Sequence, residues 1–404
     1  MRTSLLIVVA ALGVAGCTDA PPNSSRSIVA PELSSRDAQP NAADRVTASA
    51  LWNKRTRAII GRRGGSSPNA ARTFALVSVA QYDAVIAAEA ANERGHAGAS
   101  EAGAAAAASA AVLESLYPVE QSFINGQLAS DAAYFPTLPS EHKGTFDAGA
   151  AIGRQVAAAV ISYAATDGSK TPWTGTVPAG PGLWIPESMP PQDANWGSVR
   201  PWLMSSGDQF RPAPPPAFGS PQFLTDLGEV RFDSDNRTPE QLAIAQFWAT
   251  GYGPGGPAGF FGTLADSLAG TQHMNERRAS RMLAVLHMAI MDASIGCYDG
   301  KYFYWYIRPY QADRAITTPV GRPNFPSYPS AHSCLSSSAA GVLSGFFPAA
   351  KDTLQAMVQQ AGVARIYAGL HYRFDVVAGQ TLGFSVANLA LQRAPKGHKP
   401  IPLE

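Results

Sequence analysis

Apolar residues recur at helical spacing along much of this chain, and no strand-like alternation of useful length interrupts them. Order is expected to begin near Val46, where Ala50, Leu51 and Trp52 open a helical pattern running towards Ile60. A second helix over roughly 70–91 sets Phe74, Val77, Ala84, Val85 and Ala88 near one face, with Gln81 as its polar exception. Residues 100–117 are almost pure alanine until Val112 and Leu113, which predicts a buried helix. A further helix over 141–165 presents Ile152, Val156, Val160 and Ile161 as its apolar face. Periodicity then fades from Asp167 to about Asp235, where Pro, Gly, Trp and Ser dominate. A connection that long is expected to wrap the helical core and line the entrance of a site. Helices resume near Thr238, with Pro239 in the first turn after a capping threonine. They pause across a Gly-rich stretch from Gly251 to Gly262 and return over 271–298, with Met282, Leu283, Leu286 and Ile290 along one side. No internal repeat of solenoid period appears. The pattern predicts an all-α fold, a helical bundle with long Pro/Gly-rich connecting loops.

The N-terminus lies outside that pattern. Arg2 precedes an apolar run from Leu5 to Val14, followed by Ala15, Gly16 and Cys17. The run is too short to span a bilayer and reads as a secretory signal over residues 1–17. Small residues just before a cysteine resemble the bacterial lipoprotein cleavage box, which makes Cys17 the lipidation site and a membrane surface the partner of its anchor. An ordinary signal peptide cut nearby is the alternative. Thr18 is not the aspartate associated with inner-membrane retention, so the expected location is exported and lipid-anchored in the cell envelope, on the periplasmic face of the outer membrane. Residues 18–45 are rich in Pro, Ser, Asn, Asp and Ala and read as a flexible tether. Beyond it, 46–270 form an N-terminal helical region, 271–395 a C-terminal one, and 396–404 a tail.

Composition narrows the function by exclusion. In 404 residues, 31 basic and 30 acidic side chains leave a net charge of +1, and without a basic patch no nucleic-acid partner is expected. Export lets Cys297 and Cys334 be either a disulfide or two buried thiols, and with no matching histidine pattern they make no zinc site. His96, His142, His273, His287 and His398 show no ligand spacing, and Arg62 and Arg63 read as a solvated pair near a helix end.

Three short elements near the C-terminus carry the candidate chemistry. Lys301 and Arg308 are seven residues apart, two helical turns, so both cations would project from one face before Pro309 ends the helix. Taken alone, that spacing equally describes a solvated face. Prolines stop at Pro329, and helix-compatible residues follow Ser330. That sets Ser330, Ala331 and His332 at a helix N-terminus, where free N–H groups and the macrodipole attract anions. A plain serine cap with an incidental histidine is the alternative. His371 and Asp375 are four apart, so on one helical turn the carboxylate can accept from Nδ1–H and leave Nε2 free as nucleophile or ligand. A structural hydrogen bond is again the plainer reading. Arg365 adds a permanent planar cation.

In order and spacing these elements resemble the three-part signature of the superfamily that joins type 2 phosphatidic acid phosphatases, bacterial acid phosphatases and vanadium haloperoxidases. The resemblance implies that Lys301, Arg308 and Arg365 bind oxyanion oxygens and that Ser330 and the Ala331 N–H complete the cradle. It implies His371 as the axial partner, bonding the vanadium of vanadate in a haloperoxidase or attacking phosphorus in a phosphatase. His332 would be the acid–base group, and Asp375 would orient His371. Two positions depart from the pattern: Ala331 stands where glycine is usual and Ala364 where serine is common. The first adds a methyl group near the bound anion.

Residues outside the signature favour one branch. Trp52-Asn53, Arg72, Ala75, the run Tyr82 to Val85, Phe247 to Ala249 and Ile366 to Gly369 resemble soluble bacterial vanadium-dependent haloperoxidase-like proteins, so the likeness spans roughly 46–395. The lipid phosphatases carry several spanning helices, and no apolar run of that length is read here. Phe325 matches an aromatic bordering the halide site, whereas Tyr298 stands where tryptophan is frequent. The expectation is an enzyme holding vanadate that oxidises halide with hydrogen peroxide and passes it to a small organic acceptor. An acid phosphatase acting on a phosphoester without a cofactor is the second reading, and a non-catalytic surface lipoprotein the third. The resemblance also allows a homodimer.

Overall fold

The computed structural model describes residues 46–94, 98–138, 144–251, 253–395 and 400–403; Cys17, His96, His142 and His398 lie outside them. Among the described residues the fold is all-α: helices joined by short 3-10 turns and two isolated bridges, with no strand. The N-terminal region builds α1 (Ala48–Arg63), α2 (Ser67–Glu93), α3 (Glu101–Leu116), α4 (Gln121–Tyr134) and α5 (Phe146–Ala165). After the long connection come α6 (Pro221–Asn236), α7 (Pro239–Gln246), α8 (Gly256–Thr271) and α9 (Glu276–Tyr304). The chain then forms α10 (Pro309–Ala312), α11 (Ala331–Phe346), α12 (Lys351–Tyr367) and α13 (Arg373–Arg393).

Capping chemistry sets many of these starts. Thr47, Ser66, Ser100, Thr145, Ser220, Thr238 and Asn275 each accept a hydrogen bond from a first-turn N–H, and Thr238 with Gln241 completes a capping box. Arg62 and Arg63 are exposed, as a solvated pair would be, and both ion-pair with the buried Glu120.

Several helices depart from the pattern. α4 was not foreseen, α6 lies inside the stretch read as irregular, and α8 occupies most of the expected glycine interruption. α2 does not present one apolar face; it is buried on all sides from Ala70 to Ile86, with the Gln81 amide donating to Ser109 Oγ at 2.9 Å. On α5 the buried side is Gly149, Gly153, Ala157 and Val160, while Ile152, Val156 and Ile161 stay half-buried. The cause is close approach: a Cβ on Gly153 would lie 2.2 Å from the Ala104 carbonyl, so α3 and α5 meet backbone to backbone.

α9 is the axle. It packs against α2, α11 and α13, and its buried residues join both halves of the chain in one core. Contrary to the sequence reading, α2, α9 and α13 are long and apolar enough to cross a membrane by length and composition; 94% of the apolar window in α9 is buried inside the protein and only 44% of that in α13. Polar residues on α9 nail down the long connection. Asp292, wholly buried, accepts from the backbone N–H groups of Trp202, Leu203 and Met204 at 2.8, 2.7 and 2.8 Å. Ser294 accepts from Trp196 Nε1, and Asp299 holds Arg211 through both oxygens. Asp292→Ala should therefore lower the unfolding free energy by about 3 kcal/mol, because three buried donors lose their acceptor at once. Urea unfolding checks this; equal stability of Asp292→Ala and the parent would remove the anchoring role, and Asp292→Asn should fall between them.

Candidate active site

The Lys301 and Arg308 side chains come from two backbone elements, not from one helix face. α9 stops at Tyr304 because Trp305 adopts a left-handed conformation (φ 50°, ψ 35°) and returns its N–H to the Lys301 carbonyl. The chain then runs extended beside Leu183, with Trp184 N–H donating to Trp305 and Ile307 N–H to Gly182. Pro309 starts α10 and does not end a helix, with Arg308 as its N-cap residue. The aromatic run between the cations spans this reversal, and both cations are wholly buried, which removes the solvated-face alternative.

Each cation is wrapped in carbonyl oxygens. Lys301 Nζ donates to Pro326, Ser327 and Pro329 at 3.0, 2.9 and 2.5 Å. Arg308 donates to the carbonyls of Phe325, Pro326 and Leu370 and, through Nη1, to His371 Nε2 at 3.0 Å. No hydrogen bond of either cation ends on a carboxylate. Phe325 lies between them, 5.0 Å from Lys301 Nζ and 5.1 Å from the Arg308 guanidinium carbon, with Tyr298 against its ring. Burial, reinforced by the Arg308 charge, lowers the Lys301 ammonium to about 8.

Ser330 is the N-cap residue of α11, as the proline boundary predicts, but its hydroxyl does not cap. Ser330 Oγ is buried and has no hydrogen-bond partner. α13 presses against this end of α11, since a Cβ on Gly379 would lie 2.6 Å from the Ser330 carbonyl. Ala331 and His332 are half-buried, and His332 Nε2 lies 2.7 Å from the Trp248 carbonyl. Arg365, from the last turn of α12, reaches the same carbonyl at 3.3 Å and that of Ala245 at 3.2 Å. Its Nη1 is 3.5 Å from His332 Nε2.

His371 and Asp375 meet across a helix start, not along one helical turn. α12 ends at Tyr367, Gly369 turns the chain at φ 73°, and α13 begins at Arg373 with Tyr372 as N-cap residue. Asp375 at the third position reaches back, accepting from Tyr372 N–H at 3.1 Å and His371 Nδ1 at 2.8 Å. Ser327, which the sequence did not single out, donates to the same oxygen at 2.6 Å; a serine three residues before Ser330 was the available signal. Accepting the Nδ1 proton fixes the His371 tautomer and leaves Nε2 as the acceptor facing Arg308. Burial pushes the Asp375 carboxyl up to about 7, against the pull of Ser327 and Lys301. Burial first, then Arg308 and Lys301, hold His371 well below its usual value; burial and then Arg365 do the same to His332.

Of the sequence-selected residues, Lys301, Arg308, Phe325, His371 and Asp375 are joined through these contacts, His332 and Arg365 meet at the Trp248 carbonyl, and the charges of Lys301, Arg308 and Arg365 act on both histidines. Phe247 to Ala249 entered the sequence reading only as part of the resemblance; the contacts of the Trp248 and Ala245 carbonyls, from the N-terminal region, were not read there. His287 lies apart, wholly buried against Ser78 Oγ, and His273 is exposed. Cys297 and Cys334 are free buried thiols. Among the described residues no cluster of His, Cys, Asp or Glu could hold a metal cation.

An oxyanion fits this chemistry. Buried Lys301 and Arg308 without a bonded carboxylate and an orphaned hydroxyl at a helix N-terminus favour a negative, oxygen-rich ligand, and the His371 Nε2 lone pair suits its electrophilic central atom.

No curated protein matches the sequence. Residues 282–398 match the model of the PAP2 superfamily. Among solved structures, a bacterial vanadium-dependent iodoperoxidase superposes with a TM-score of 0.73 at 23% identity, over 86% of this chain and 96% of that one. A holo-type bacterial vanadium-dependent chloroperoxidase gives 0.65 at 14%, over 87% and 96%, and an apo-type one 0.64 at 14%, over 80% and 92%. The fold of this chain is that of the bacterial vanadium haloperoxidases, and the segment carrying every side chain of the candidate site is the one that matches the PAP2 superfamily.

Proposed function

We propose that this protein is a vanadate-dependent haloperoxidase that oxidises halide with hydrogen peroxide. The observation that carries the reading is the pair of wholly buried cations, Lys301 and Arg308, with no carboxylate bonded to either and His371 Nε2 against Arg308. The fold likeness over 86% of the chain supports the haloperoxidase branch. Lys301, Arg308, Arg365, Ser330 and the Ala331 N–H would hold vanadate, and His371 would bond its metal. Bound vanadate supplies an electrophilic centre that activates peroxide towards halide.

The chain's own residues do the rest. Asp375 keeps the Nδ1 proton on His371 and so keeps the Nε2 lone pair available. Arg308 orients that ring and holds the 325–326 and 370–371 segments together. His332 moves protons at Nε2; burial and then the Arg365 charge lower its basicity, and an anion that offsets Arg365 raises it again. Phe325 and Tyr298 give the neighbouring wall an aromatic, weakly hydrated surface suited to a large halide. Tethered through Cys17, the enzyme would meet peroxide, halide and small organic acceptors in the cell envelope.

The match to the PAP2 superfamily favours a second reading, a phosphatase in which His371 Nε2 attacks phosphorus and His332 protonates the leaving oxygen. One experiment separates them. The chain beginning after Cys17 is purified metal-free and assayed with orthovanadate, peroxide and iodide, bromide or chloride on a cyclic diketone. The vanadate-free protein is assayed in parallel on a chromogenic phosphate ester. Halogenation that requires vanadate is the expected result; ester hydrolysis that vanadate inhibits, with no halogenation, assigns the phosphatase reaction instead.

A further inference from the structure

Two thiols lie beneath the candidate site, and the proposed reaction uses neither. Cys297 is one turn before Lys301 in α9, and Cys334 is one turn into α11, its N–H bonded to the Ser330 carbonyl at 3.0 Å. Both are wholly buried, and each thiol is close enough to perturb the other. Cys297 Sγ is also 3.7 Å from the Pro329 carbonyl that accepts from Lys301 Nζ. The dithiol therefore joins the last turns of the helix that carries the lysine to the first turn of the helix that ends in the cradle.

We propose that Cys297 and Cys334 are a peroxide-oxidised pair that closes to a disulfide across α9 and α11. Cys297 is the attacking sulfur. Burial alone would raise its thiol, but the Cys334 S–H and the Lys301 and Arg308 charges outweigh burial and hold it below its ordinary value. Burial and its neighbour hold Cys334 well above its own, so it keeps its proton until the second step. In the first step the Cys297 thiolate attacks one peroxide oxygen and the O–O bond breaks. That gives a Cys297 sulfenic acid, and the departing hydroxide takes up a proton to become water. In the second, Cys334 sulfur attacks the sulfenic sulfur, the S–S bond forms, and the hydroxide released leaves as water with the Cys334 proton. Peroxide gains two electrons and the two thiols lose them. Peroxide is hardly larger than water and reaches buried groups through local opening. The oxidant is the one used by the proposed activity, but neither oxyanion nor halide takes part.

The test uses the full chain, reduced, freed of reductant and exposed to hydrogen peroxide with neither vanadate nor halide, then denatured, alkylated and digested. The expected result is a cross-linked peptide joining Cys297 and Cys334, reversed by dithiothreitol, together with a rise of several degrees in the unfolding temperature. In Cys334→Ser the reaction should stop at a sulfenic acid on Cys297 that dimedone traps. Both thiols remaining open to alkylation after a large excess of peroxide would overturn the proposal. So would oxidation of Cys297 to the sulfinic acid with no cross-link in the parent chain. Because neither halogenation nor ester hydrolysis is read, this result and the proposed activity can each fail without the other.

Discussion

His371→Ala should lower vanadate-dependent halogenation by roughly a thousandfold or more while leaving the fold in place. The ring is the one uncharged nitrogen acceptor bonded to Arg308, and alanine removes both the ligand and the group that Asp375 orients. Stability should change little by comparison. Arg308 Nη1 keeps the Leu370 carbonyl, and Asp375 keeps Ser327 and the Tyr372 N–H. Asp375→Asn is the finer probe. It preserves size but can present N–H where an acceptor is needed, favouring the wrong His371 tautomer, and should cost roughly two to four orders of magnitude in rate. Initial rates at saturating vanadate, with circular dichroism on the same samples, give the answer. Halogenation within tenfold of the parent in His371→Ala would remove His371 from the reaction and with it the proposed site.

Arg308→Ala should damage both stability and ligand binding. The guanidinium joins two segments distant in sequence by bonding the carbonyls of Phe325, Pro326 and Leu370. Truncation strands the Phe325 and Leu370 carbonyls in the interior, each costing roughly 1–3 kcal/mol, and opens a cavity, while Pro326 keeps its bond from Lys301. One effect runs the other way, since removing a cation relieves its repulsion with Lys301 and Arg365. Two like charges separated by roughly 8 Å at an effective dielectric of about 20 repel by about 2 kcal/mol. The stranded carbonyls win, and the net loss is expected to be about 4 kcal/mol in urea unfolding. Affinity for orthovanadate, measured by equilibrium dialysis, should fall about a hundredfold with the loss of a charge-assisted donor pair. Arg308→Lys should recover little, because one ammonium cannot span both segments. Unchanged dialysis affinity in Arg308→Ala would show that the oxyanion sits elsewhere.

The charged residues of the site were legible because chemistry constrains their spacing, whereas the backbone between them was not. Lys301 and Arg308 read as two turns of one helix because nothing in the run Tyr302 to Ile307 is a helix breaker; the reversal falls on Trp305, left-handed without a glycine to announce it. His371 and Asp375 were correctly paired but on the wrong backbone. The relevant spacing is three, from Tyr372 to Asp375 across an N-cap, and a tyrosine is not a residue that advertises a cap. The Asp167 to Asp235 stretch misled in a similar way: its prolines and tryptophans hide α6, whose apolar contacts reach α12 and not a neighbouring helix in sequence. What polar pattern alone could not give is partner identity. Glu120 beneath Arg62 and Arg63, or Asp292 beneath the long connection, become visible only when distant segments meet.

The contacts of the N-terminal region with the candidate site also bear on how such a chain can change over time. Trp248 and Ala245 reach His332 and Arg365 through backbone carbonyl oxygens, and a carbonyl is the same atom whatever side chain stands beside it. Substitution in those helices is limited by volume and helix direction, not by reactivity, so drift there leaves the chemistry untouched. Between residues 301 and 375 the constraint is tighter, because Lys301, Arg308, Ser327, His371 and Asp375 each make their contacts through a particular side-chain group. A recognisable sequence match confined to 282–398, inside an architecture shared over 86% of the chain, is the record that such unequal constraint would leave.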